Sequence, residues 1–158
     1  MADEGAPSAR ATSERHTDLL NAYKDETSPW FGWARSLFGP MRLTDWSWGR
    51  VALDWEMAET LFLPDGVMFG GHVAAAADQI VSLATMTVLP RDVDRFRTSR
   101  LETNYFRPVK GERARIDGRV TNLSRTLIHA EADVYCADAL AVRIFATQVR
   151  RTTQTIPG

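Results

Sequence analysis

A glycine pair and a carboxylate eight residues further on are the groups in this chain best suited to chemistry. Gly70-Gly71 precedes an alanine-rich stretch, HVAAAADQIVSLATMTVL over 72–89, with Asp78 in its middle. The first N–H groups of a helix have no intrahelical acceptor and, with the helix dipole, favour negative charge. Glycine removes the Cβ that would block a ligand from reaching them. A developing oxyanion could sit there. A carboxylate inside an apolar helix needs a reason to be tolerated, so Asp78 is a candidate base or nucleophile. At 1.5 Å per residue it lies about 12 Å along the axis from Gly70. One reacting group cannot touch both within one chain. If they act together, the acid comes from a second subunit, by an antiparallel two-fold pairing of these helices.

The helix that carries them must be two-sided. On the Asp78 side lie Gly71, Ala74, Ala75, Ser82 and Thr85, small or polar residues that let a second helix or a ligand come close. Opposite lie Val73, Ala77, Ile80, Leu83, Ala84 and Val88, which can face a sheet. The apolar period supplies that sheet. Val51, Leu53, Trp55 and Met57 alternate with polar or small residues, so 50–58 is a strand, with 41–48 as its partner across a Gly49-Arg50 turn. Strands follow at 97–107, 113–121, 127–136 and 140–149, the last after a tight Ala137-Asp138-Ala139 turn. Alternation on one side only means an antiparallel sheet with one wet face. Residues 14–38 read as helix, broken by Pro29 into two and ended by Gly39-Pro40. Pro90 closes the long helix, and Arg91–Arg95 reads as a charged, mobile loop. One central helix covering an antiparallel sheet of about six strands is an α+β arrangement.

The bulk numbers exclude several classes. A chain of 158 residues is one domain by size. With 44% apolar and 25% charged residues it is neither disordered nor fibrous. Lys+Arg of 19 against Asp+Glu of 20 gives no bulk attraction to nucleic acid or an anionic membrane. The single cysteine, Cys136, cannot form an internal disulfide and points into the core by its strand parity. The histidines His16, His72 and His129 have no metal-ligand spacing. Residues 1–18 lack an apolar segment, cannot be a secretory signal and read as a flexible tail. The 72–89 stretch carries Asp78, Gln79 and His72 and reads as a buried helix rather than a membrane span. The cytoplasm is the expected compartment.

Gly66-Val67-Met68-Phe69-Gly70-Gly71 with Ala77-Asp78, then Asn104-Tyr105-Phe106-Arg107-Pro108 with Gly111, then Asn122-Leu123-Ser124-Arg125-Thr126-Leu127, occur in that order. This series resembles the hot-dog-fold acyl-CoA thioesterases of the phenylacetyl-CoA type, over roughly residues 41–150. The resemblance implies a hot-dog domain over 41–151, with an N-terminal helical extension at 19–40 and a C-terminal tail at 152–158. It implies a long helix wrapped by a curved antiparallel sheet, and protomers paired so that two sites form at their interface. Dimers would associate further into tetramers. Gly70, with Gly71, would polarise the thioester carbonyl, and Asp78 of the other protomer would attack or activate water. Thr98 falls where the family has a Ser or Thr that holds the acid or the water. Ser124 and Arg125 fall near the place where CoA is held, and Phe69, His72, Ser82 and Asn104 complete the expected substrate contacts. No metal and no cofactor are implied.

The chain departs from that family in having Phe69 where a His usually precedes the glycines, and Leu63 and Asp65 where an Asn or Gln usually lies. The substrate implied is an aryl- or medium-chain acyl-CoA, cleaved to free acid and CoA. The alternative is a non-catalytic acyl-CoA binder or sensor on the same fold, and a dehydratase ranks last for want of its His/Asp pair. Read singly, the residues have plainer roles. Gly70-Gly71 is also a tight turn, Thr98 an ordinary strand residue, Arg125 a solvated turn residue and His72 a packing residue. The five tryptophans are read as core and interface mass.

Overall fold

The computed structural model describes residues 10–91, 93 and 95–151. It begins with α1 (Glu14–Lys24) and α2 (Pro29–Phe38). Ser13 Oγ accepts the His16 N–H and Ser28 Oγ accepts the Trp30 N–H, so each helix starts on a serine cap. Pro29 is at the first helical position, where its missing N–H costs nothing, and so it opens α2. Gly39 ends it at φ 82°, where a Cβ would lie 2.3 Å from the Glu56 carbonyl oxygen. The expected tail is shortened by this geometry. Residues 14–18 belong to α1, because the Ser13 cap and the buried His16, Leu20 and Tyr23 tie it down. Residues 1–9 and 152–158 lie outside the described set.

His16 gives this attachment a pH dependence. Burial, and then repulsion from Arg15, push its imidazole below the usual pKa of 6.5, against a hydrogen bond to the Leu89 backbone. The unfolded chain therefore binds a proton more readily than the folded one. Stability from this group is full above about pH 6.5 and is lost as the pH falls below that value. Thermal unfolding should show Tm dropping between pH 7 and pH 5, and dropping less in His16→Gln. Equal drops in both proteins would exclude His16 as the cause.

The sheet comprises β1 (Met41–Ser47), β2 (Arg50–Glu56), β3 (Arg95–Tyr105), β4 (Arg113–Leu123), β5 (Leu127–Cys136) and β6 (Ala139–Arg151), in the order β1-β2-β4-β5-β6-β3. Every neighbouring pair is antiparallel. Between β2 and β3 runs α3 (Gly70–Met86). Its Val73, Ala76, Ala77, Ile80, Val81, Leu83 and Ala84 are buried in one cluster with Leu53, Trp55, Ile116, Ala132 and Ile144 from the strands. The antiparallel sheet wrapped on one long helix, with N-terminal helices beside it, is the hot-dog fold. On the outer face charges pair across strands, as where Asp133 accepts from Arg119 at 3.1 Å and from Arg143 at 2.6 Å.

Four local readings change. Helix α3 stops at Met86, not at Pro90, because Thr87 Oγ1 donates to the Ala84 carbonyl at 2.7 Å and accepts the Gly49 N–H at 2.8 Å. Val93, in the segment read as a mobile loop, is buried in a second cluster with Val88, Leu89 and Ile128. Asp92 and Asp94 of that segment lie outside the described residues. Cys136 keeps its inward parity and packs against the main cluster, but at the end of β5 it is only half-buried. Of the tryptophans, Trp55 is fully buried while Trp30 and Trp33 are 62% and 49% exposed.

Two features of β3 position the site. Among the described residues it pairs only with β6, so its outer edge is free. Its register also shifts between Thr98 and Arg100, which leaves Ser99 as an extra residue. A bulge of this kind reverses which residues face the helix. Thr98 therefore faces α3 before the bulge, and Leu101, Thr103 and Tyr105 face it afterwards. No helix among the described residues is long and apolar enough to cross a membrane.

Candidate active site

Asp78 stands on the open stripe of α3, exposed, with exposed Ala75 and Gly71 one and two turns before it. Its carboxylate is not free to swing. Thr98 Oγ1 reaches across from β3 and donates to Asp78 Oδ1 at 2.5 Å. Behind Thr98 lies Gln148 of β6, directly opposite it in the ladder and fully buried. Its amide donates to Thr98 Oγ1 at 3.2 Å and to Ser82 Oγ at 3.3 Å. Thr85 Oγ1 donates to Gln148 Oε1. Thr85, assigned to the Asp78 stripe, is thus its sealed lower end, fully buried against the sheet. Asp78, Thr98 and Ser82 are therefore brought together, through a residue that sequence reasoning did not single out.

The glycine end is built differently. Phe69 caps α3 in an extended conformation, φ −60° and ψ 127°, without a side-chain cap. The Gly70 and Gly71 N–H groups follow it as the first of the helix and have no intrahelical acceptor. The glycines also make room for protein. A Cβ on Gly71 would lie 2.7 Å from the Phe69 ring, and one on Gly70 would lie 3.5 Å from the Tyr105 hydroxyl. Tyr105 donates to the Gly70 carbonyl at 2.6 Å, and so pins the first turn to β3. His72 Nδ1 lies 2.9 Å from the Leu61 carbonyl oxygen, which also accepts the Phe69 N–H at 3.1 Å. His72 thus anchors the loop before α3, and its ring meets Phe69 edge-on at 5.4 Å. Beside Gly70 opens a shallow cleft of about 490 Å³, mostly apolar, walled by Leu63, Val67, Met68, Tyr105 and Phe106.

Three further expected residues lie apart. Asn104 donates to Glu102 at 3.1 Å on the outer face of β3, away from α3. Ser124 and Arg125 form the β4–β5 turn. Ser124 Oγ accepts the Leu127 N–H and donates to the Leu127 carbonyl, both at 2.9 Å, and the Arg125 carbonyl accepts from Arg150 Nε. Arg125 is exposed. Among the described residues, no group of three or more His, Cys, Asp or Glu side chains is placed to hold a metal ion.

The missed residues had partial signals. Gln148 follows Val142, Ile144 and Ala146 at the inward parity of its strand, and an amide at a core position needs partners. Tyr105 is next to the Asn104 that was chosen. The bulge at Ser99 exchanges the two faces between Thr98 and Asn104, and nothing in the residue types marks it.

The family model described as Thioesterase superfamily matches residues 65–143 of the chain, which is 158 residues long. Solved structures agree in fold. A Silicibacter pomeroyi thioesterase family protein has 20% identity over 87% of this chain and 98% of its own, at TM-score 0.73. A phenylacetic acid degradation-related protein from Ralstonia eutropha has 19% identity over 83% of this chain and 98% of its own, at TM-score 0.71. A hypothetical thioesterase protein with coenzyme A from Streptococcus pneumoniae has 18% identity over 79% of this chain and 97% of its own, at TM-score 0.69. No curated protein sequence matches the chain.

Proposed function

The chain belongs to the thioesterase superfamily, and from that premise we propose that it hydrolyses an acyl-CoA thioester at a site shared by two protomers. One observation carries this reading: Asp78 is held by Thr98 on an exposed stripe of the same helix whose first N–H groups are unclaimed within it. A carboxylate and a helix N-terminus are enough for thioester hydrolysis. Asp78 of one protomer takes the proton of a water that attacks the carbonyl carbon, or attacks that carbon itself to give an acyl anhydride that water then cleaves to the free acid. The Gly70 N–H of the other protomer holds the oxyanion, whose collapse expels the CoA thiolate. The distance along α3, about 12 Å, keeps these roles on different chains.

The free edge of β3 supports that pairing. An unpaired edge strand is a template for a second copy. Two β3 strands side by side would form one continuous sheet and set the two α3 stripes face to face. Dimers of this kind are the unit from which we expect tetramers to form. The apolar cleft beside Gly70, with Phe69, Tyr105 and Phe106 about half-exposed, supports an aryl- or medium-chain acyl group. The coenzyme A of the Streptococcus pneumoniae protein and the phenylacetic acid link of the Ralstonia eutropha protein point the same way. Residues 41–151 would supply the hydrolase, with 19–40 as an added helical cover.

Complementation tests the shared site. Asp78→Asn and Gly70→Pro are co-expressed with different tags. In a mixed dimer, one site has both intact groups and the other has neither. Half of randomly formed dimers are mixed, so activity should return to about a quarter of wild type. If the mixture is no more active than either variant alone, the groups act within one chain. Tight acyl-CoA binding by the wild type without turnover would favour the binder or sensor.

A further inference from the structure

We propose that Gln148 is a positioning residue that fixes the direction of the Thr98 hydroxyl and, through it, the orientation of the Asp78 carboxylate. This rests on Asp78 being the reacting acid of the proposed thioesterase. The argument is one of hydrogen-bond polarity. An ionised carboxylate only accepts. The Thr98 hydroxyl, 2.5 Å from Asp78 Oδ1, must therefore spend its one proton there. Its oxygen is then left as an acceptor, and the group facing it, at 3.2 Å, has to be a donor. That places the Gln148 –NH2 toward Thr98 and its Oε1 on the other side. Thr85 Oγ1 faces Oε1, so Thr85 is the donor to it. The second amide hydrogen is taken by Ser82 Oγ at 3.3 Å. Each member has one orientation that satisfies the others, and the chain of donors runs one way, from Thr85 through Gln148 and Thr98 to Asp78.

Burial gives this polarity its force. Gln148 and Thr85 are fully buried, so no solvent replaces a missing partner. Gln148 also joins three elements, reaching Ser82 and Thr85 on α3, Thr98 on β3, and its own strand β6. Asp78, by contrast, is exposed on the helix surface and has Thr98 as its anchor. Without the amide, the Thr98 oxygen loses its donor and the hydroxyl can turn to other acceptors. The carboxylate then samples geometries from which it cannot reach a neighbouring protomer's thioester. A misplacement of about 1 Å can cost up to roughly 10²-fold in rate. Substrate contacts are untouched, so the loss should fall on kcat and leave KM nearly unchanged.

The test is a double-mutant cycle on the full-length protein, with an acyl-CoA as substrate. The variants are Gln148→Met, Thr98→Val and the pair together, beside wild type and Asp78→Asn. Gln148→Met keeps length and volume and removes the amide. Expected are a kcat about tenfold lower for Gln148→Met with KM within about twofold, and a double variant no worse than Thr98→Val alone. If the two losses multiply, or if Gln148→Met leaves kcat unchanged, Gln148 does not act through Thr98 and the proposal is overturned. Should Gln148→Met fail to fold, Thr85→Val replaces it in the cycle. It removes the donor to Oε1 without touching Thr98, and must show the same non-additivity. A wild type that cleaves no thioester, or an Asp78→Asn protein as active as wild type, removes the thioesterase reading and this inference with it. An essential Asp78 with multiplicative losses removes this inference alone.

Discussion

Asp78→Asn is expected to lower kcat for acyl-CoA hydrolysis by about 10²- to 10⁴-fold, the range for losing a positioned general base. The amide keeps the size of the side chain, and its oxygen can still accept the Thr98 hydroxyl that now lies 2.5 Å from Oδ1. It cannot take a proton from water, and it is a poor nucleophile. The exposed position on α3 means that the exchange disturbs no core contact, so Tm should stay close to wild type. KM should also hold, because the lost interaction belongs to the transition state. Steady-state kinetics on a panel of aryl- and acyl-CoA thioesters checks this. A kcat within threefold of wild type would mean that another group performs the attack.

Gly70→Pro is the sharper probe of the oxyanion site, with an expected loss of about 10²- to 10³-fold, as for deleting one oxyanion-hole donor. It removes one N–H and little else. Gly70 is the first residue of α3, the helical position where proline is best tolerated. Phe69, which would precede the proline, already has φ −60° and ψ 127°, the extended conformation that proline demands of its neighbour. A Cβ at 70 would meet the Tyr105 hydroxyl at 3.5 Å, an ordinary contact. The fold should therefore survive, which circular dichroism and Tm can check. Gly70→Ala keeps the N–H and should retain most activity. If proline and alanine at 70 are equally active, the helix start does not hold the oxyanion. A substitution at Gly71 would be less informative, since there a Cβ meets the Phe69 ring and the loop must shift.

Phe69 itself is explained in part by this geometry. Its ring folds against Gly71 and meets His72, while its N–H is spent on the Leu61 carbonyl. The second glycine therefore accommodates an aromatic side chain in addition to opening the helix start. His72 is turned to the same Leu61 carbonyl and serves the loop before α3, the packing role that its position also allowed.

Much of the fold could be read directly because it rests on local periodicity. Alternation with period two marks a strand with one buried face, and the apolar side of 73–84 marks a helix against a sheet. Pro29 and Gly39 place helix ends through backbone sterics that hold wherever those residues stand. The glycine pair and Asp78 were visible for a similar reason: small residues and a carboxylate in an apolar helix are costly or pointless without a purpose.

Contacts between distant segments were not readable in this way. Asp78 and Thr98 are 20 residues apart, and Thr98 and Gln148 are 50 apart. Which strands adjoin, in which register, decides that they meet. Ser99 illustrates the limit: one extra residue in β3 turns Tyr105 toward Gly70 and Asn104 away from it. Residue types record how each segment divides its faces between core and water, because that division is made turn by turn and strand by strand. They do not record where a ladder slips by one, and that slip, set by the packing of the whole sheet on α3, selected the side chain that meets Gly70.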